Sequence, residues 1–115
     1  MESNTQPTGL PGDSWTRTLG DMPVVALTLD LLLPGCTTLK EKRSRLKPLL
    51  QALRREFNVA AAEMDAQDNH RRAVLGLVSL GNDGAFVERS LAAIPTWIEA
   101  HRPDLQLLDH RLELL

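Results

Sequence analysis

Apolar and polar residues alternate along four segments of the chain. The alternation is strongest from Val24 to Leu33 and from Arg71 to Leu80, and it recurs from Leu105 to Leu114. A repeat of two places every second side chain on one face, which is typical of a half-buried β-strand. The segment from Asn58 to Ala66 shows the pattern more weakly, because alanine is a poor strand former. The pattern therefore predicts four strands.

Two other segments carry apolar residues at intervals of three and four, which predicts amphipathic helices. The first runs from Leu39 to Phe57 and begins at a capping box, Thr38–Glu41. Pro48 removes a backbone donor inside this segment, so we expect a kink or two consecutive helical pieces. The second segment runs from Phe86 to Ile98, and Pro95 predicts a bend in it.

The order strand, helix, strand, strand, helix, strand predicts an α+β fold of the ferredoxin-like type. Two right-handed crossovers and one hairpin fit a four-stranded antiparallel sheet of order 4-1-3-2 with both helices on one face. We assign residues 23–115 to this domain. Residues 1–22 are rich in Ser, Thr, Pro, Gly and Asn with scattered apolar residues, so we expect a flexible N-terminal extension.

Composition argues against several functional classes. The net charge is −2, so no global basic field attracts the chain to nucleic acid or membrane. Aromatic residues make up 3% of the chain, too few for single-strand binding by stacked rings. The single cysteine, Cys36, excludes an internal disulfide framework and a multi-cysteine zinc site. Without a long apolar segment or a signal-peptide pattern, we expect a cytoplasmic protein that does not cross a membrane.

Basic residues concentrate in the first predicted helix, where seven lysines and arginines between residues 40 and 55 accompany one glutamate, a local charge of +6. Four of them fall within an arc of about 60° beside the apolar stripe. Such a ridge releases counterions from a phosphate backbone, which predicts RNA as the ligand. The alternative is a solvated helix face that covers the edges of the core. The predicted RNA-binding residues are Lys40, Lys42, Arg43, Lys47, Arg54 and Arg55, with Arg71 and Arg72 as auxiliaries.

The sheet face opposite the helices is the second candidate surface. If Val25, Leu27 and Leu29 face the core, the alternate positions form an outer face that is mostly apolar. Soluble monomers rarely expose a contiguous apolar patch, so we predict that a second subunit covers this face in a two-fold homodimer. An exposed face, or one covered by the N-terminal segment, is the alternative. The predicted dimer face comprises Val24, Ala26, Thr28, Leu32, Val74, Val78 and Leu80.

A third cluster surrounds the turn between the second and third predicted strands. Glu63 and Asp65 are two residues apart and so share one strand face, and with His70 they offer oxygen and nitrogen ligands to a divalent metal. They could equally pair with Arg71 and Arg72 as a surface salt network. Because the spacing matches no ligand motif, we predict no metal site, no cofactor and no catalytic residue, and a metal-dependent enzyme built on Glu63, Asp65 and His70 is the alternative.

Five short segments, in order along the chain, carry a family resemblance: Thr38–Arg43 (TLKEKR), Glu56–Val59 (EFNV), Ala62–Asp68 (AEMDAQD), Arg72–Gly76 (RAVLG) and Leu80–Asp83 (LGND). Together they resemble the small bacterial family called domain of unknown function 503, or YlxP-like, over about residues 24–115. The chain departs from the family pattern at Thr38, where serine is usual, at Pro48 and in the N-terminal segment.

The resemblance implies a ferredoxin-like fold and gene neighbourhoods concerned with translation initiation and ribosome maturation, and it brings no established activity. We therefore expect a non-enzymatic protein that associates with RNA or ribosomal particles through its first helix. The alternative is a homodimeric interaction module that uses the open sheet face and has no nucleic-acid role.

Overall fold

A computed structural model describes residues 22–65 and 68–115. The predicted N-terminal extension, residues 1–22, lies outside the described residues except for its last position. The strands are β1 (Val24–Leu32), β2 (Ala60–Asp65), β3 (Arg72–Leu80) and β4 (Gln106–Leu114), and the helices are α1 (Leu39–Phe57), α2 (Gly84–Ala92) and α3 (Ile94–His101). None of these helices is both long enough and apolar enough to cross a membrane.

The four strands form one antiparallel sheet in the order β2-β3-β1-β4, which confirms the predicted order read from the other edge. The central pair, β1 and β3, is in register along its whole length, from Val24 opposite Leu80 to Leu32 opposite Arg72. Both outer strands change register once, β2 between Glu63 and Asp65 and β4 opposite the Asp30–Leu31 step. Each change of register is a β-bulge, which adds one residue to the outer strand.

The core lies between the sheet and the helices. Every second side chain of β1 points into it and forms the sheet side of the core. Val25, Leu27, Leu29 and Leu31 are at most 1% exposed, whereas the residues between them are half-buried. Burying each such side chain contributes about 1.5–3 kcal/mol relative to exposing it. The helices close the core from the same side with Leu46, Leu49, Leu53, Val87, Leu91, Ile94 and Ile98.

The first helix is continuous. α1 keeps its helical structure from Leu39 to Phe57, so of the two outcomes expected at Pro48, the division into two helical pieces is wrong and the kink stays a prediction. Pro48 and Ser44 are both exposed, so the carbonyl that loses its donor faces solvent and not the core. The helix ends at Asn58, which adopts the left-handed conformation (φ 53°) that often terminates helices.

Its beginning follows the predicted capping box with a shift of one residue. The hydroxyl of Thr38 accepts a hydrogen bond from the Glu41 N–H at 3.0 Å. The Glu41 carboxylate accepts in return from the N–H of Thr37, at 3.2 Å, and not from that of Thr38. This backbone hydrogen bond, together with those from the side chains of Thr37 and Arg45, lowers the pKa of Glu41.

The second helical segment is broken, as Pro95 predicted. α2 ends at Ala92, Ala93 joins the two helices, and Pro95 lies in the first turn of α3, where a missing N–H costs nothing. The start of α2 is capped by Asp83, whose carboxylate accepts from the Phe86 N–H at 3.2 Å.

Two arginines join the loops at one end of the fold. Arg45 of α1 donates to the carbonyl of Pro34 at 2.9 Å and to the carboxylate of Glu41 at 3.0 Å. Arg102, which follows α3, donates to the Arg45 carbonyl at 3.0 Å and binds both carboxylate oxygens of Asp104 at 2.9 Å. The side-chain hydrogen bonds from Arg102 hold the pKa of Asp104 below its usual value.

We expect the substitution Asp104→Asn to weaken the fold at neutral pH and to flatten its response to acid. Because the folded-state pKa of Asp104 is lowered, its stabilising contribution is complete above the unfolded pKa of about 3.9 and is lost as the pH falls through the folded pKa. Asp104 is 43% exposed, so the loss at pH 7 is below about 1 kcal/mol. Urea unfolding between pH 7 and pH 2 measures both effects.

Glu88→Gln, at an exposed carboxylate of α2, is the control. The prediction is contradicted if the free energy of unfolding of the Asp104→Asn variant changes with pH in parallel with that of the unmodified chain.

Candidate nucleic-acid interface

Four basic residues predicted to share an arc of α1 lie on one flank of that helix. Lys40, Arg43, Lys47 and Arg54 are all exposed, and we call them the cationic ridge. The last three line a groove of about 300 Å³ together with Leu46, Leu50 and Glu63. Because Glu63 belongs to β2, the ridge runs beside this outer strand of the sheet.

The ridge is short of carboxylate partners. Within residues 22–65 and 68–115, no ion pair involves Lys40, Arg43, Lys47 or Arg54. Arg54 makes one hydrogen bond, from its Nη2 to the carbonyl oxygen of Ala61 at 2.6 Å, which joins the end of the helix to the edge of β2. A carbonyl dipole does not neutralise a guanidinium, so all four side chains retain their charge toward solvent.

Lys42 was assigned to the same surface by the sequence analysis, and the structure corrects this. Its side chain is only 2% exposed, and Nζ lies 2.6 Å from the Oε2 atom of Glu63. Nζ also donates to the carbonyl oxygen of Asn69 at 2.8 Å. Lys42 follows Leu39 by three residues and precedes Leu46 by four, so it occupies a position of the apolar stripe. This spacing was the available sequence signal for its burial.

The remaining predicted RNA-binding residues are dispersed. Arg55 is exposed, but its Cα points about 100° further round the helix than Arg54. Arg71 is exposed in the turn between β2 and β3, and its N–H donates to the Asn69 side chain at 2.9 Å. The Lys42–Asn69 hydrogen bond holds this turn against the first turns of α1, so Arg71 lies at the same end of the molecule as Lys40.

Arg72 does not belong to the helix-side surface. It stands opposite Leu32 in the sheet, a position of the open face, and its Nη2 contacts both carboxylate oxygens of Asp30 at 2.8 Å. The sheet therefore separates it from the cationic ridge. Arg72 therefore does not belong to the cationic ridge, and its role as an auxiliary RNA-binding residue stays a prediction.

The predicted carboxylate cluster is divided by the bulge in β2. Glu63 pairs with Leu75 on the helix-covered face, whereas Asp65 pairs with Val74, a position of the open face. The expectation that these two residues share a strand face is therefore wrong, because the extra residue, Met64, reverses the alternation. Within the described part of the chain, no group of three His, Cys, Asp or Glu side chains is placed to hold a metal ion.

The open sheet face is apolar along β2, β3 and the start of β1. Met64 is 63% exposed, Val78 39% and Leu80 56%. The other predicted face residues, Val24, Ala26, Thr28, Leu32 and Val74, are half-buried. The sequence analysis missed Met64, which lies so close to Gly76 that a Cβ atom there would be 2.8 Å from the methionine Cγ. Glycine at position 76 thus lets the methionine lie flat on the sheet.

We expect Lys42→Met to destabilise the protein by about 3 kcal/mol, because it leaves the Glu63 carboxylate partly buried beside an apolar group. Glu63→Gln strands the Lys42 ammonium in the same way, so the double variant should lose less stability than the two single losses added together. Urea unfolding followed by circular dichroism measures the three values.

Arg55→Met is the control for that experiment, because Arg55 is 72% exposed and its loss should change stability by less than about 0.5 kcal/mol. Strictly additive effects of the two substitutions would show that Lys42 and Glu63 are not coupled.

Comparison with known proteins places this architecture in a family. Residues 24–112 match the family described as "Protein of unknown function (DUF503)", so the match includes β1 to β3, all three helices and most of β4. Over 76 residues the chain is 29% identical to the uncharacterized protein YlxP of Bacillus subtilis (strain 168), an alignment that covers 66% of this chain and 82% of that protein. The match spans well over half of its length, and the chain therefore belongs to the DUF503 family.

Proposed function

We propose that this protein binds the phosphate backbone of RNA through the cationic ridge of α1, as a non-enzymatic RNA- or ribosome-associated protein of the cytoplasm. The observation that carries the proposal is the exposure of Lys40, Arg43 and Lys47 without a carboxylate partner in the described part of the chain. Lysine and arginine ridges of this kind displace condensed counterions from nucleic acid, and the released ions supply most of the binding free energy.

The ion pairs elsewhere in the fold support this reading of the ridge. Arg45 and Lys42 belong to the same helix, and both are engaged by acids, Glu41 and Glu63 respectively. Arg55 likewise pairs with Glu56, whereas within the described residues no carboxylate pairs with a cation of the ridge. A surface that served only solubility would not need its unpaired charges to be aligned on one flank.

Ribosomal RNA is the first target to test, since the gene neighbourhoods implied by the family resemblance concern translation initiation and ribosome maturation. The chain's overall charge of −2 restricts the attraction to the ridge, because the rest of the surface repels phosphate on average. We therefore expect weak binding at physiological salt and much stronger binding at low salt.

Reversal of charge at two ridge positions, Arg43→Glu with Lys47→Glu, should lower the affinity for ribosomal RNA by at least about tenfold at low salt. It should also reduce the slope of log affinity against log salt by about two, because two phosphate contacts are lost. Fluorescence anisotropy over a salt series, and co-sedimentation with ribosomal subunits at low and high salt, measure the effect. Arg89→Glu, at an exposed arginine of α2, reverses a charge away from the ridge and should leave both quantities unchanged. An unaltered affinity and slope in the double variant would remove the proposal.

A second candidate function rests on the open sheet face, where a second copy of the chain would pack about a two-fold axis. The exposed side chains of Met64 and Val78 line a depression of about 590 Å³ in this face. Apolar surface of this extent favours association with another apolar surface.

The charges on this face favour a second copy over nucleic acid. Along β1, β3 and β4, register places two arginines and three carboxylates there, Arg72 and Arg111 with Asp30, Asp109 and Glu113. A mixed set in which acids outnumber arginines repels phosphate, whereas two copies related by a two-fold axis can bring arginines of one against carboxylates of the other. The candidate function is therefore homodimerisation and not RNA binding at this face.

The substitution Val78→Asp should convert a dimer into a monomer. Val78 is 39% exposed in the isolated chain, so an aspartate there is tolerated by the fold and disfavoured at an apolar interface. Light scattering should give twice the 12.7 kDa chain mass for the unmodified protein and the single chain mass for the variant. Thr96→Asp, at an exposed position of α3 on the other side of the sheet, should leave the dimer intact. A monomeric unmodified protein, or a variant of unchanged mass, rules against this face as the contact.

A further inference from the structure

We infer that the cationic ridge is suited to duplex RNA and not to a single strand, an inference that rests on the phosphate-binding function proposed above. Four features of the described residues lead to it: the alignment of the ridge, the position of the aromatic rings, the acids beside the ridge and the convex shape of a helix.

The ridge is one row of charges along a single helix. Because α1 is continuous through Pro48, its rise of 1.5 Å per residue places Lys40 and Arg54 about 21 Å apart along the helix. Arg43 and Lys47 lie between them on the same flank. A row of cations spaced by one helix matches the regular phosphate rows of a duplex, whereas a flexible single strand has no fixed phosphate spacing to match.

Among the described residues, no aromatic ring lines the groove beside the ridge. Phe57 meets Trp97 edge to face at 5.7 Å, and Trp97 stacks on His101 at 4.5 Å, so these rings pack against each other. The groove beside the ridge is lined by leucine and charged side chains alone. Proteins that bind single strands without sequence preference gain about 1–3 kcal/mol per base from stacking on rings. A duplex keeps its bases stacked internally, so it loses nothing on a surface without rings.

Acids close the inner side of the ridge. Glu63 and Asp68 line a pocket of about 320 Å³ with Leu39, Lys42 and Arg43. A flexible single strand that entered this pocket would bring its phosphates close to the Asp68 carboxylate and be repelled. A duplex is too bulky to enter the pocket and can contact the exposed cations from outside it, so the acid favours the bulkier ligand.

The geometry also indicates which duplex groove the helix approaches. The major groove of A-form RNA is deep and narrow, and side chains cannot read it, whereas the minor groove is wide and shallow. A convex helix with a lateral row of lysine and arginine side chains fits against the minor groove with its cations on the bordering phosphates. Contacts of this kind carry no base information, so the binding is independent of sequence.

Anisotropy titrations of the full chain test the inference with two labelled probes, an RNA duplex of about 20 base pairs, longer than the span of one ridge, and an unstructured oligouridine of the same length. At a low salt concentration of about 50 mM, the duplex should bind at least about fivefold more tightly than oligouridine. Its salt slope should be between about −3 and −4, as expected for four phosphate contacts. Lys40→Ala with Arg43→Ala should reduce that slope by about two, and Arg89→Ala should not change it.

Each possible result of these titrations overturns a different claim. Equal or tighter binding of oligouridine overturns the duplex inference and leaves the phosphate-binding function in place. Binding of neither probe overturns the proposed function itself. A change in affinity of more than about tenfold between two duplexes of different sequence would show base readout, and it would overturn the inference that the ridge contacts only the backbone.

Discussion

The buried ion pair between Lys42 and Glu63 fixes the position of α1, and the exposed chemistry of the helix follows from it. An ammonium group in the apolar stripe is strongly unfavourable unless a carboxylate and a hydrogen-bond acceptor meet it. Glu63 on β2 and the carbonyl of Asn69 supply both. Any rotation of α1 that separated Lys42 from these partners would strand two buried charges. The pair therefore holds Arg43 and Lys47, one and five residues further along, on the side that faces solvent.

The bulge in β2 is the second constraint, because it separates Asp65 from Glu63. Alternation is regular from Ala61 to Glu63, which places Glu63 beneath α1, and a regular continuation would place Asp65 on the same face. The extra residue at Met64 moves position 65 to the open face instead. The same bulge brings Met64 over Gly76, where there is no side chain to obstruct it. One local irregularity thus affects both candidate surfaces, since it removes position 65 from the side of the sheet that holds Lys42 and Glu63 and leaves an exposed thioether on the other side.

Periodicity was sufficient to predict the architecture from the sequence, because strand alternation and helix spacing are local and strong here. The alternation of β1 survives without exception, and the break before Pro95 follows from a missing backbone donor. The errors concern residues whose environment depends on distant parts of the chain. A count of charges along α1 assigns Lys42 to the exposed surface with the neighbouring cations. Only its position three residues after Leu39, in the apolar stripe, indicates that it is buried. The face occupied by Asp65 depends on a β-bulge. No turn residue or proline in the sequence indicates that bulge, so local rules could not predict the face of Asp65.

The two candidate surfaces lie on opposite sides of one sheet, and this determines how they would act together. Sheets that pack face to face are about 10 Å apart, so a dimer formed through the open faces would place the two copies of α1 on its outer sides. The two cationic ridges would then face away from each other, and a single straight duplex could not contact both. A dimer would gain avidity only from RNA that folds back on itself or presents two separate helices, as a compact structured RNA does. Dimerisation through the open face would thus leave the intrinsic affinity of each ridge unchanged and favour folded RNA over an isolated duplex of the same length.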